Sequence, residues 1–160
     1  MDLVVGVADM KVSNKPGDML VTYSLGSCIG LALYDPVVKV GGLLHYMLPE
    51  STLDGNKAKK NLSMFGDTGI PLLFKETYKL GAKKNRLKII VVGGAQILDQ
   101  NGLFNIGKRN HTILRKMFWK NNVMIDFEDV GGNVNRTLKL KVENGSVWLK
   151  VSGVGTKKIC

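Results

Sequence analysis

The apolar runs Ile29–Leu33 and Val40–Leu44 flank the turn signal Asp35-Pro36, and this is the feature that most constrains the fold. Two such runs joined by a short polar connection predict an antiparallel hairpin. Pairing about a centre between Pro36 and Val37 sets Ile29 against Leu44, Leu31 against Gly42 and Leu33 against Val40 on one face. The other face then carries Ala32 against Gly41, Gly30 against Leu43, and Cys28 against His45. Directly opposed residues have Cβ atoms roughly 5 Å apart, so this register predicts a thiol beside an imidazole. A slip of one residue would send the two to opposite faces.

The rest of the chain supplies partners for that hairpin. Leu3 to Met10 is Val-rich and predicts a first strand, followed by the polar loop Ser13–Asp18; Leu20 to Tyr23 predicts a second. Glu50 to Gly66 is lysine-rich and without sustained period, which predicts a long surface loop bordering the His45 strand. Asp67 or Thr68 suits a helix cap, with Pro71 in the first turn and Gly81 just past the end. Leu87 to Val92 is a continuous apolar run of the kind found in buried strands, and it ends in Gly93-Gly94-Ala95. Helical spacing places a second helix over 106–120, with Ile106, Ile113, Leu114, Met117 and Phe118 on one stripe. Val123 to Phe127 predicts a strand, and the alternating runs 138–142 and 147–151 predict a hairpin around Asn144-Gly145. Together these elements predict one α+β domain over 1–160, with more strand than helix: a layered mixed β-sheet or sandwich flanked by helices.

Composition narrows the class. With 160 residues, 44% of them hydrophobic, the chain is long enough to bury a proper core. No apolar run approaches the roughly 20 residues of a membrane span, and Met1-Asp2-Leu3-Val4-Val5 lacks the basic start of a signal peptide, so a cytoplasmic protein without membrane insertion is expected. Two cysteines, Cys28 and Cys160, provide neither a disulfide framework nor a zinc quartet. The net charge of +10 suits an acidic partner. Its lysines and arginines are scattered and lack the interleaved aromatics of an RNA-binding sheet, so nucleic acid is not the expected one.

Chemistry-bearing residues are few. Cys28 and His45 suit a nucleophile and its base. A free thiol near pKa 8.5 is only about 3% thiolate at pH 7, and an adjacent imidazole is expected to lower that pKa. Gly26 and Ser27 precede Cys28 in a tight turn whose backbone N–H groups are candidates for an oxyanion hole. Thr22 is a candidate to orient His45 through a hydrogen bond. On residue type alone a buried structural cysteine, a core histidine and an ordinary strand threonine are the commoner reading of the same residues. His111, on a basic helix, reads as a solvated side chain. Met64-Phe65 suits either an exposed patch or a core anchor. Gly93-Gly94 and Gly131-Gly132 match no phosphate-binding motif, and no cluster has metal-ligand spacing, so neither cofactor nor metal is expected.

Six ordered segments carry a resemblance over nearly the whole length: Leu25-Gly26-Ser27-Cys28, His45-Tyr46-Met47-Leu48-Pro49, Ile70-Pro71-Leu72-Leu73, Gly93-Gly94-Ala95, Ile106-Gly107-Lys108-Arg109-Asn110 and Glu128-Asp129-Val130-Gly131-Gly132. In these the chain resembles the CheD family of bacterial and archaeal chemoreceptor glutamine deamidases. The resemblance implies a cysteine-hydrolase fold related to deamidating bacterial toxins, and a triad falling here on Cys28, His45 and Thr22. It also implies hydrolysis of receptor glutamine, expected to run through a thioester on Cys28; the same site is expected to accept glutamate methyl esters, since methoxide is a better leaving group than ammonia. The implied partners are the cytoplasmic helical bundle of chemoreceptors and a CheC-type phosphatase, engaged by a monomer. A catalytically silent chemotaxis adaptor is the alternative.

Overall fold

The computed structural model describes residues 1–96 and 105–160. Among these residues, ten strands form two mixed five-stranded sheets. One sheet has the order β1 (Asp2–Val4), β3 (Met19–Leu25), β8 (Arg136–Lys141), β9 (Val147–Val151), β10 (Gly155–Lys158); the other runs β2 (Asp9–Ser13), β5 (Val40–Tyr46), β4 (Ile29–Asp35), β6 (Lys88–Gly93), β7 (Phe127–Val130). The β1–β3 and β6–β7 pairs are parallel and the others antiparallel.

Alternation along each strand decides the layers. Ala32, Tyr34, Leu43, Ile90 and Val92 of the second sheet meet Leu20, Leu25, Leu138, Leu140 and Leu149 of the first, forming the core between sheets. The opposite face of the second sheet, with Ile29, Leu31, Leu33, Leu44 and Tyr46, is covered by Ile70 and Leu73 of α2 (Gly66–Lys79) and Leu114 and Phe118 of α3 (Ile106–Lys120). Both faces of β4 and β5 are therefore inside, and every residue of the two strands is buried.

Several elements differ from the sequence expectation, each for a local reason. The Leu3–Met10 run is two strands in different sheets: the chain breaks at residues 5–8, with Ala8 at φ 59, and crosses from one sheet to the other. The hairpin register is slipped by two residues, pairing Gly30 with His45 and Ile29 with Tyr46. Its connection is four residues long, since Asp35 pairs with Val40 and Lys39 takes a left-handed conformation. Asp35 is pinned there: its carboxylate accepts from the amides of Val37 and Lys83 and from Arg86. Because the slip is even, each side chain stays on its expected face.

Residues 50–66 are not an unstructured loop. They hold two 3₁₀ turns, Ser51–Leu53 and Leu62–Met64, around α1 (Gly55–Lys60), which Asp54 caps by accepting from the Lys57 amide. Helix α2 begins at Gly66, so Pro71 lies inside it and not in its first turn, while Gly81 follows the end at φ 101. Strand β7 starts only at Phe127, because the Asp126 carboxylate accepts from the Ile89 amide just before it. The β8–β9 connection is longer than the two residues Asn144-Gly145, and β10 follows it where no strand is predicted.

Candidate active site

Thr22 and His45 come from different sheets and meet between them. Thr22 Oγ1 lies 2.7 Å from His45 Nδ1 and 2.7 Å from the Val5 carbonyl oxygen. A carbonyl only accepts, so the single hydroxyl proton goes to Val5, and the Thr22 oxygen must accept from Nδ1–H of His45. That arrangement fixes the tautomer. Nε2 is left unprotonated, buried and without a hydrogen-bond partner among the described residues. The ring is further held through its backbone, where the His45 carbonyl accepts from the Ala8 amide, 2.8 Å. Asn61 reaches from the segment after α1 to the Ala8 carbonyl, so this segment braces the His45 strand.

Cys28 arrives on a turn that β3 launches irregularly. The β3–β8 register shifts between Thr22 and Leu25, and Ser24 sits at φ 56, a conformation few non-glycine residues adopt. The chain then turns through Gly26, Ser27 and Cys28, all half-buried, into β4. Cys28 packs against the core between the sheets, the side on which His45 meets Thr22. Across from His45 stands Gly30, which adds no side chain to that space. The thiol and imidazole thus share a face despite the slipped register, with no hydrogen bond joining them among the described residues.

The Gly26–Cys28 turn is held by its carbonyls. Gly26 accepts from the Ala95 amide, 2.8 Å, and Cys28 from the Gly94 amide, 2.9 Å, while Ser27 accepts from Asn110 Nδ2, 2.9 Å. Gly93 has φ 113, and a Cβ there would lie 2.2 Å from the Cys28 carbonyl oxygen, so the backing loop needs glycine at that position. Buried Arg136 donates to the Gly93 carbonyl and to Asp129, fixing that loop from behind. The Gly93-Gly94-Ala95 sequence is thus a backing for the cysteine turn.

The electrostatics reverse the expectation of a preformed thiolate. Burial pushes the Cys28 thiol up to about 11, opposed in part by its own backbone N–H. Burial also takes the His45 imidazole down to about 4. Both groups are therefore neutral at neutral pH. The physical reason is desolvation of the two groups by burial.

The remaining candidates are structural. Phe65 is fully buried, and His111 pairs with Glu128 at 3.0 Å on the surface. No group of three or more His, Cys, Asp or Glu residues among those described is arranged to hold a metal ion. Asn110, Arg136 and the Val5 carbonyl escaped sequence reasoning. Asn110 lies among Lys108 and Arg109 and reads as surface, and a backbone carbonyl has no sequence signature.

Residues 47–151 match the model of the family described as CheD chemotactic sensory transduction. The matched stretch starts after His45, but similarity to individual proteins extends across the cysteine turn. The chain is 59% identical over 152 residues, 95% of each chain, to a probable chemoreceptor glutamine deamidase CheD 1 of Syntrophus aciditrophicus. It is 46% identical to a probable chemoreceptor glutamine deamidase CheD of Solibacter usitatus, covering 94% of this chain and 89% of that one. A protein of the same description from Syntrophotalea carbinolica is 41% identical over 99% of both chains.

Proposed function

The chain belongs to the CheD family, and from that premise we propose that it hydrolyses glutamine side chains of chemoreceptors to glutamate, with Cys28 as nucleophile, His45 as base and Thr22 as the residue that orients the imidazole. The observation that supports the assignment is the Thr22–His45 bond, which leaves Nε2 unprotonated on a ring that shares the inter-sheet side with Cys28.

The reaction starts from neutral partners. As the sulfur attacks the side-chain amide carbon, Nε2 takes the thiol proton, and the resulting imidazolium is stabilised through Nδ1–H on Thr22. The imidazolium then gives its proton to the departing nitrogen, releasing ammonia and leaving a thioester on Cys28. A water molecule enters, loses a proton to Nε2 and attacks the thioester carbon. Collapse returns the proton to sulfur and releases glutamic acid, so the sum is amide plus water to carboxylic acid plus ammonia. Gly26, Ser27 and Cys28 supply the backbone turn whose amides stabilise the oxyanion. A glutamate methyl ester follows the same course with methanol leaving.

The substrate reading is supported by charge. The +10 chain presents Lys108, Arg109 and Lys116 on α3, around a groove of about 490 Å³ that also includes Glu50. The same helix reaches the cysteine turn through Asn110, so an acidic helical bundle would be drawn toward the site. We further propose a cytoplasmic monomer, one catalytic domain over 1–160, a fold related to deamidating toxins, and a CheC-type phosphatase as second partner. No described helix is long and apolar enough to cross a membrane.

Incubation with a receptor cytoplasmic fragment tests the reading. A gain of about one dalton per modified glutamine is expected, absent with Cys28→Ala. Binding without mass change would identify an adaptor instead.

A further inference from the structure

Asn110 stands out among the buried polar groups because it touches both halves of the site. It is fully buried on α3, and its Nδ2 donates to the Ser27 carbonyl at 2.9 Å and the Met47 carbonyl at 3.0 Å. Ser27 immediately precedes Cys28, and Met47 lies two residues beyond His45. One amide group therefore ties the turn that carries the sulfur to the end of the strand that carries the imidazole. With both protons of one NH₂ engaged, the group cannot rotate without breaking a link.

The helix is anchored so that this link has a defined length. Tyr46 donates from its hydroxyl to the Asn110 carbonyl at 2.6 Å. Gly107 passes so near the backing loop that a Cβ would lie 2.4 Å from the Ala95 carbonyl oxygen. The other two carbonyls of the cysteine turn are held by backbone amides of that same loop. Asn110 is the side chain that completes the set. Its Oδ1 is buried with no partner among the described residues, so among them the side chain acts through its NH₂ alone.

We propose that Asn110 is a positioning residue, which sets the separation of the Cys28 sulfur from His45 Nε2. The inference rests on the reading of Cys28 as nucleophile and His45 as base. A displacement of about 1 Å in a reacting pair costs on the order of 100-fold in rate, so a strut across the pair has a kinetic signature.

The experiment measures kcat and KM on a receptor fragment, with thermal unfolding, for Asn110→Leu, Asn110→Asp and Leu114→Ala in the full chain. Leu114, four residues on along the same helix, is buried in the cluster on the helix-covered face of the second sheet and makes no hydrogen bond to the cysteine turn through its side chain. Asn110→Leu is expected to lower kcat about 10- to 100-fold with KM within about twofold, and to lower the melting temperature as well, since the Ser27 and Met47 carbonyls lose their donor. Leu114→Ala lowers melting temperature and keeps kcat within about threefold below the transition. If Asn110→Leu does not fold, Asn110→Asp, nearly isosteric but without the NH₂, reads the same loss of kcat. A folded Asn110 variant with wild-type kcat, an effect on KM alone, or a loss of kcat that Leu114→Ala matches would overturn the proposal. Cys28→Ala run alongside separates the two readings: activity surviving in it removes the nucleophile assignment itself, whatever Asn110 does.

Discussion

The hydroxyl oxygen of Thr22 lies 2.7 Å from Nδ1 of His45, and the direction of that bond is dictated by a third group, the Val5 carbonyl, which takes the only hydroxyl proton. Substituting Thr22 with Val keeps the shape and leaves the imidazole N–H without an acceptor. A fall in kcat of roughly 10- to 100-fold is expected for Thr22→Val, with Thr22→Ser recovering most of it. Steady-state kinetics on a receptor fragment checks this, and equal rates in Thr22→Val and wild type would remove the orienting role.

Burial of Cys28 makes its alkylation slow. With the pKa at about 11, the thiolate fraction at pH 8 is on the order of 100-fold below that of a free thiol near 8.5. Iodoacetamide labelling of Cys28 in a Cys160→Ser background is expected to lag a model thiol by that order, and to accelerate as pH rises toward 11. Faster labelling than the model thiol at pH 6.5 would restore the preformed thiolate that the sequence suggested.

His45 couples the site to acid stability. Its folded pKa, about 4, is below the ordinary 6.5 because burial disfavours the charged ring. Between those values the unfolded chain binds a proton that the native one does not. The contribution is therefore fully present above pH 6.5 and is lost as pH falls toward 4, up to about 3 kcal/mol. Urea unfolding from pH 7 to 4 should show this slope in the wild type and a shallower one in His45→Gln.

Asp35 is fully buried and gathers the amides of Val37 and Lys83 with two nitrogens of Arg86. Burial works to raise its pKa, but the bonds from Lys83, Arg86, Val37 and Val38 outweigh it and hold the carboxyl below its usual range. Asp35→Asn is expected to cost about 3 kcal/mol in denaturant unfolding, since it sets the length of the β4–β5 connection. Wild-type stability in Asp35→Asn would contradict that role.

Which features were legible from sequence follows from how far their causes reach. The two faces of the β4–β5 hairpin were, because alternation is a local property. Its register was not, because the turn length depends on Lys83 and Arg86, distant in the chain from Asp35. Helix α3 was bounded correctly by its apolar stripe, whereas β10 is exposed at every position and carries no alternation to read. The break in Leu3–Met10 is what brings the Val5 carbonyl to Thr22, yet Gly6 alone does not announce it. At the site, Cys28 and His45 stood out by residue type, Thr22 suggested itself as a hydrogen-bonding partner for the imidazole and was picked out again by the family resemblance, and Asn110 was hidden by its basic neighbours.

The central claim is that the Cys28 sulfur becomes acylated by substrate glutamine. Intact-mass measurement of the protein mixed with a receptor fragment and quenched in acid tests it most directly. A covalent adduct of enzyme and fragment, formed with loss of ammonia and mapping to Cys28, together with a gain of about one dalton on the released fragment, is the predicted result. Deamidated fragment appearing at the wild-type rate with Cys28→Ala would contradict it.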